Sequence, residues 1–521
     1  MDVVSFGVSS TVGSGIFVSI GFIAKHYSGP ALPMSFLVVI GASLLCAMCF
    51  AEFSCKIKTS GMGYSYTYAS YGELVAFCTG TLTFLSYCLG TAAVARGWSG
   101  YLGCFFRAAT GYELPDIFIS YELNEWMSVS LLAPLLCTIS AIVAVKGIKE
   151  SVLLNRLLVV VNISIMVLFL GYGLWAYGDE SNFTPFTLPD SGWTGVIEGS
   201  GLAFFCLIGW DLTCSLSEEV KKPNLNIPNG IVASLALVGA LYCGVSIALC
   251  GMVPIPLVDE KTPLASAFLL HGDMPMYLMV SLAAVTVTTA NVVTGSAGPP
   301  RVIYAMAQDG LLPLFLGEVS NGVPKNAAIL CGILNVITSA FFDFKSLASV
   351  TSCLALIIYI LVCGGVLLLP ENAHIGGRSV ARSDRRKTTI LLLLFVASSL
   401  WVQFAILGGR PWDAAAVVNA AIAVVLIDHH RRHTKRLVLK DASAFLLPDA
   451  PIMGADWGEN PDSTPFKCPA VPLVPLVAVW VNCFIVSSLG LGTLMGAGAV
   501  VAVAIMVYLT YGVRHSHLNV H

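Results

Sequence analysis

Val12-Gly13-Ser14-Gly15, and Cys206-Leu207-Ile208-Gly209-Trp210 further along, each interrupt a long apolar segment where a continuous membrane helix is expected. A glycine inside a helix costs about 1 kcal/mol relative to alanine, so glycine and polar neighbours at mid-membrane depth require a reason. One reason is packing, since small residues let helices approach closely. The other is an unwound segment whose freed N–H and C=O groups line a shielded cavity and bind something. Two interruptions at matching places in two halves of a chain favour the second, because that pattern points to a transporter site.

Composition sets the solvent in which this pattern is read. The chain has 521 residues, 56% of them hydrophobic and 11% charged, with a mean hydropathy of +0.82. A soluble domain carries about 25% charged residues, so this is an integral membrane protein. The net charge of −3 gives no nucleic-acid signal. The 16 cysteines lie mostly in apolar runs without metal-ligand spacing and read as small buried hydrophobes. The first apolar segment lacks a basic leader, so no cleavable signal peptide is expected.

About 20 apolar residues cross the hydrocarbon core. Spans are predicted at 2–25, 29–54, 73–98, 125–146, 152–177, 196–217, 227–253, 275–300, 326–343, 346–370, 388–408, 412–428, 470–489 and 493–513. Gly490 and Gly492 mark a hairpin between the last two. Loops are short except 429–469, which is basic, then rich in Asp and Pro, and expected to be irregular. With a cytosolic N-terminus, Lys25, Arg107, Lys261, Lys345 and Arg410 fall outside, Arg96 lies in the third span, and the other lysines and arginines fall inside. That asymmetry satisfies the positive-inside rule. It also places the sequon Asn182-Phe183-Thr184 outside, so Asn182 is a candidate glycosylation site.

The stretch GVSSTVGSGIFV (7–18) resembles the first-helix signature of the amino acid–polyamine–organocation superfamily. AEFSCKIKTSGMGYSYTYASYGELVAFCTG (51–80), LSYCLGTAAVARGWSGY (85–101), IGWDLTCSLSEEVKKPNLNIPNGI (208–231) and PRVIYAMAQDGLLP (300–313) resemble its cationic amino acid transporter branch. CPAVPLVPLVAVWVNCF (468–484) resembles the extra C-terminal helices of that branch. The resemblance implies an all-α membrane protein of fourteen spans with a LeuT-like core of two five-helix inverted repeats. The core is 1–370, with repeats 1–177 and 194–370 and with broken first and sixth helices. Residues 371–521 supply four further helices, including the loop 429–469.

A zwitterion in mid-bilayer must exchange water for fixed partners. Backbone N–H groups at a helix N-terminus suit its carboxylate, and unwinding at Gly13, Ser14 and Gly15 supplies one. Carbonyls freed at Thr11, Val12, Phe205, Cys206 and Ile208 suit its ammonium, and the resembling family uses these positions so. Ser14 has helix packing as its plain alternative. Asp211 is an intramembrane acid and hence a functional candidate, with local capping of the unwound segment as the alternative. Trp210 is a candidate lid over the ligand or a packing residue, and Phe204 and Phe205 are equal candidates for the lid. Ser86 stands where some relatives carry an acid facing the site. Thr286, Thr288, Thr289 and Asn291 form a polar patch that can bond an ammonium or guanidinium, or else bond back to their own helix.

Glu73, in YGELVAF, matches a glutamate that the cationic branch needs for transport, which implies a role in gating; complementing the dipole at a helix start is the plain alternative. Glu52, Glu218 and Glu219, near Lys221 and Lys222, read as solvated ion-pair faces, with a cytosolic gate network as the alternative. Arg96 is expected to snorkel outward or to pair with an external acid. Asn162 aligns with a fifth-helix lysine of proton-coupled relatives and cannot titrate, so no obligatory proton coupling is expected there.

The function expected is a carrier of cationic amino acids (arginine, lysine, ornithine) by alternating access, as uniport or exchange, with no cofactor. Its partners are the substrate and the bilayer. A carrier of neutral amino acids or polyamines is the alternative, and a non-transporting sensor of the same fold is the rival from another class. No nucleophile, base or metal constellation at usable spacing suggests an enzyme. Residence is expected in the plasma membrane, with vacuolar and lysosomal membranes as alternatives.

Overall fold

The computed structural model describes residues 3–12, 15–57, 61–124, 127–147, 152–218, 220, 222–320, 323–369, 382–407, 413–444 and 466–516. Helices dominate, because a chain in lipid must satisfy every backbone group within its own segment. The first interruption separates α1 (Val3–Thr11) from α2 (Gly15–Ile23). α3 (Leu32–Lys56), α4 (Met62–Tyr71) and α5 (Glu73–Thr110) follow. A short α6 (Asp116–Ile119) and a hairpin of β1 (Tyr121–Glu122) and β2 (Ser128–Val129) then lead to α7 (Leu132–Lys146) and α8 (Val152–Tyr177). The second interruption lies between α9 (Gly192–Leu207) and a 3₁₀ helix, Trp210–Glu218, set at 40° to it.

Beyond it run α10 (Pro223–Met252), α11 (Pro263–Leu270), α12 (Met274–Gly295) and α13 (Pro299–Gln308). A second hairpin, β3 (Val319–Ser320) with β4 (Val323–Pro324), precedes α14 (Lys325–Phe341) and α15 (Phe344–Val366). The chain continues through α16 (Arg382–Leu407), α17 (Asp413–Ala444), α18 (Leu473–Ser488) and α19 (Leu491–Val507). α18 and α19 meet at Gly490, as the hairpin reading requires.

Among the described residues, eight helical stretches are long and apolar enough to cross a membrane, or nine counting the bent pair. One of the eight, Gly15–Lys56, is 42 residues long and contains a π turn and a 3₁₀ turn at 24–31. Four shorter apolar helices accompany them: Leu132–Lys146, Lys325–Phe341, Ala415–His430 and Leu473–Ser488. Burial separates the middle from the rim. In α15, 78% of the most apolar window is buried inside the protein, against 17% in the stretch that begins with α19.

Extensive pairings join α5 to α12, α3 to α10, and α7 to α14. Each couples a helix of the first half to one of the second. α18 is no peripheral addition: it packs on α3, α9 and α15, and its buried Asn482 donates to Cys46 Sγ at 2.9 Å.

Three expectations change. The basic start of loop 429–469 is not irregular, since α17 runs on to Ala444 with a run of good helix formers. α5 extends to Thr110, beyond the span ending at 98, because its apolar and small residues continue past the bilayer thickness. The first hairpin takes up the start of the span predicted at 125–146, so α7 begins only at Leu132, and the second stands in a loop.

Candidate functional site

The two interruptions face each other at contact distance. A Cβ on Gly15 would lie 2.6 Å from Cys206 Cα, so only glycine lets α2 start against the backbone of α9. Gly209 has φ of +120°, and a Cβ there would lie 2.2 Å from the Ser10 carbonyl oxygen. Each break thus supplies a glycine that rests on the other's backbone. Gly13 and Ser14 lie outside the described residues.

Between the breaks lies a cavity of about 160 Å³. Thr11, Gly15, Ser86, Phe205, Cys206, Ile208 and Asn291 line it. Phe6, Ser9, Ser10, Tyr87, Gly90, Thr91, Leu212, Thr294, Gly295 and Thr351 also do, and sequence reading missed them. None of the lining residues is Asp, Glu, Lys, Arg or His. Two buried polar atoms on its wall, Asn291 Nδ2 and Thr351 Oγ1, have no hydrogen-bond partner among the described residues. Buried polar groups are nearly always satisfied, so these two stand out on the wall.

Other candidates sit elsewhere. Val12 is buried off the cavity wall. Thr11 lines the cavity, but its carbonyl accepts from Tyr242 Oη at 3.2 Å and is not freely offered. The Phe205 carbonyl accepts a long bond, 3.4 Å, from Ile208 N–H. Trp210 is fully buried, its ring 5.2 Å from those of Phe50 and Tyr359. Thr288 and Thr289 bond back to Ala284 and Val285 at 2.6 and 2.7 Å, and neither lines the cavity. Asp211 is buried one layer behind the wall, where its Oδ2 accepts from Tyr87 Oη at 3.1 Å.

Phe205 closes one end of the cavity edge-on against Phe344, with centroids 5.7 Å apart. On the far side of that ring pair lies a second cavity of about 240 Å³, at the end expected to face outward. Phe344, Arg96, Glu122, Glu260, Lys261, Asp343 and Lys345 line it. Arg96 does not snorkel: it is 6% exposed and donates to Ser128 Oγ, Ser120 Oγ (3.1 Å) and the Ser339 carbonyl (3.4 Å). The hydroxyls of Ser120, just before β1, and Ser128, the first residue of β2, satisfy it in place. Lys345 Nζ stands 4.8 Å from the centre of the Phe22 ring. Glu260 bonds Lys25 at 3.0 Å and His26 at 3.1 Å. Partial burial alone pushes that carboxyl's pKa up, but the two bonds outweigh it and hold the pKa below the ordinary value.

At the opposite end Glu52 departs from the solvated reading. It is buried, pairs with Lys56 at 2.6 Å, and accepts from the Cys468 N–H at 3.0 Å, joining α3 to the segment before α18. Glu73 opens α5 beside Tyr508. Asn162 is buried in α8, its Oδ1 without a partner among the described residues. Asn182 is half-buried, its Nδ2 donating to the Gly251 carbonyl at 2.7 Å.

These features define a multi-pass, all-helical membrane protein with a central cavity between two interrupted helices. Residues 1–427 match the family model described as amino acid permease, and residues 466–516 match that described as the C-terminus of AA_permease. The vacuolar cationic amino acid transporter 4 of Arabidopsis thaliana is 29% identical, over 100% of this chain and 92% of its own length. Cationic amino acid transporter 4 of Mus musculus is 28% identical, over 100% of this chain and 87% of its own. The mitochondrial cationic amino acid transporter 3 of Arabidopsis thaliana is 29% identical, over 99% and 90%. The chain belongs to the amino acid permease family, within the cationic amino acid transporter branch of the amino acid–polyamine–organocation superfamily.

Proposed function

We propose that this protein carries cationic L-amino acids such as arginine, lysine and ornithine across a membrane by alternating access, as a uniporter or exchanger. The observation that carries the reading is the meeting of the two broken helices, Gly15 on Cys206 and Gly209 on Ser10, at a cavity with no charged lining among the described residues. Main-chain dipoles then hold the zwitterion: N–H groups around Gly13 to Gly15 take the carboxylate, and carbonyls near Cys206 and Ile208 take the ammonium. Thr351 Oγ1 can accept from the side chain, whereas Asn291 Nδ2, a donor, suits the carboxylate. The names of the relatives support the substrate class.

In this reading the chain makes fourteen passes, counting Gly15–Lys56 as two, with 1–370 as the transport core and 371–521 as the addition. The pairing of α3, α5 and α7 with α10, α12 and α14 fits two inverted repeats of five spans, 1–177 and 194–370. A cationic substrate gains about 2.3 kcal/mol per 100 mV from an inside-negative potential, so accumulation needs no second ion. Asn162 accordingly carries no proton. Stoichiometric proton uptake abolished by Asn162→Ala would contradict that. The vacuolar and mitochondrial names among the relatives leave residence in the plasma membrane as one choice among several.

The uncharged cavity wall favours a second reading, a carrier of neutral amino acids. Uptake of labelled arginine into proteoliposomes, with a panel of amino acids as competitors and an imposed potential, separates the two. Voltage-driven uptake blocked by lysine and ornithine is expected. Arginine uptake that ignores voltage, or is blocked only by neutral amino acids, would sink the cationic reading.

A further inference from the structure

A cation entering the central cavity meets no opposite charge on its wall, yet a positive side chain in a shielded site needs both acceptors and a compensating charge. Asp211 is the carboxylate one layer away. It is buried, has no lysine, arginine or histidine within 4.0 Å among the described residues, and lies between the Tyr87 and Tyr359 phenols, of which Tyr87 belongs to the cavity wall. Tyr87 lines the cavity and gives its only hydroxyl proton to Asp211 Oδ2 at 3.1 Å. A phenol so engaged has only lone pairs left to offer, and a bond to a carboxylate strengthens its oxygen as an acceptor. Ser86, the neighbour that stands where some relatives carry an acid, bonds the Thr351 carbonyl at 3.3 Å and supplies no charge.

We propose that Tyr87 is the residue that selects a positive side chain: its phenol oxygen accepts from the substrate's guanidinium or ammonium, and Asp211 behind it holds the balancing charge. The pair works as one unit. The carboxylate fixes the direction of the hydroxyl, and the ring keeps the carboxylate from direct exposure to the cavity. This rests on the reading of the central cavity as an amino acid site.

The test compares arginine with citrulline, its neutral isostere, in proteoliposomes. Wild type, Tyr87→Phe, Asp211→Asn and the double variant are each checked for a monodisperse profile. In wild type, kcat/KM should favour arginine. Tyr87→Phe and Asp211→Asn should each lower the arginine-to-citrulline ratio by about tenfold, as for a hydrogen bond to a charged group. The double variant should lower the ratio no further than either single change, because the two residues act through one contact. If Tyr87→Phe does not fold, Asp211→Asn alone decides. Arginine and citrulline uptake falling together with an unchanged ratio would make the pair merely structural and overturn the proposal. So would a wild type that prefers citrulline. A wild type that takes up neither amino acid overturns the underlying reading of the cavity, and this inference with it.

Discussion

Gly15 and Glu52 show what single residues hold here. A Cβ at position 15 meets the Cys206 main chain, which cannot rotate aside as a side chain can. Gly15→Ala should therefore push the two breaks apart and cut flux by at least about tenfold, the cost of roughly 1.4 kcal/mol in the barrier. Uptake per reconstituted molecule measures it, and unchanged flux would remove the breaks from the mechanism. Glu52 and Lys56 are an ion pair with side chains 6% and 7% exposed. Glu52→Gln leaves a buried ammonium unpaired, which costs about 3 kcal/mol, whereas exchanging both residues for apolar ones of similar size should cost much less. Melting temperatures in detergent should rank the variants in that order. Glu260 sets a pH dependence. Its folded pKa is depressed, so its bonds to Lys25 and His26 add stability above the unfolded value of about 4.3. That contribution is lost as pH falls through the lower folded value. The stability gap between wild type and Glu260→Gln should be full at pH 6 and close below about pH 4; a gap that widens on acidification would contradict it.

Among elements, the ring pair at the starts of α15 and the end of α9 is the thin partition between the two cavities. Phe344 lines the cavity expected to face outward and Phe205 the central one, and the rings meet edge to face. Cys206, a free thiol on the inner wall, reports on it. Phe344→Ala should raise the rate at which a membrane-impermeant thiol reagent added outside modifies Cys206 by about tenfold, with the signal lost in Cys206→Ser. Removing a large ring from a packed seal opens a void that small molecules can enter. No change in rate would mean that the seal lies elsewhere. The same scale explains why α9 stops where it does: Ile208 is extended and Gly209 takes a positive φ, so the helix cannot continue without losing the contact with α1.

For the whole molecule, the C-terminal segment belongs to the core's packing. Cys468 N–H caps Glu52, Asn482 bonds Cys46, and Ser488 sits against Gly201 of α9. Deleting 466–521 should bare apolar faces of α3, α9 and α15 and sharply reduce the monodisperse fraction on size exclusion. A truncated protein with the wild-type profile would make the segment dispensable. Sequence by itself determined that the chain is a membrane protein of many helices, where most helices start and end, and that two of them break, because hydropathy, length and glycine content are local properties. Only the tertiary structure decided which polar residues meet in the cavity. Asn291 faces it while Thr288 and Thr289 bond their own helix, Asp211 stands behind Tyr87, and Arg96 is buried among serines. The physical reason is that the rotation of each helix about its axis is fixed by contacts with partners far away in sequence, and in a helix that is apolar nearly all round no periodic pattern announces it.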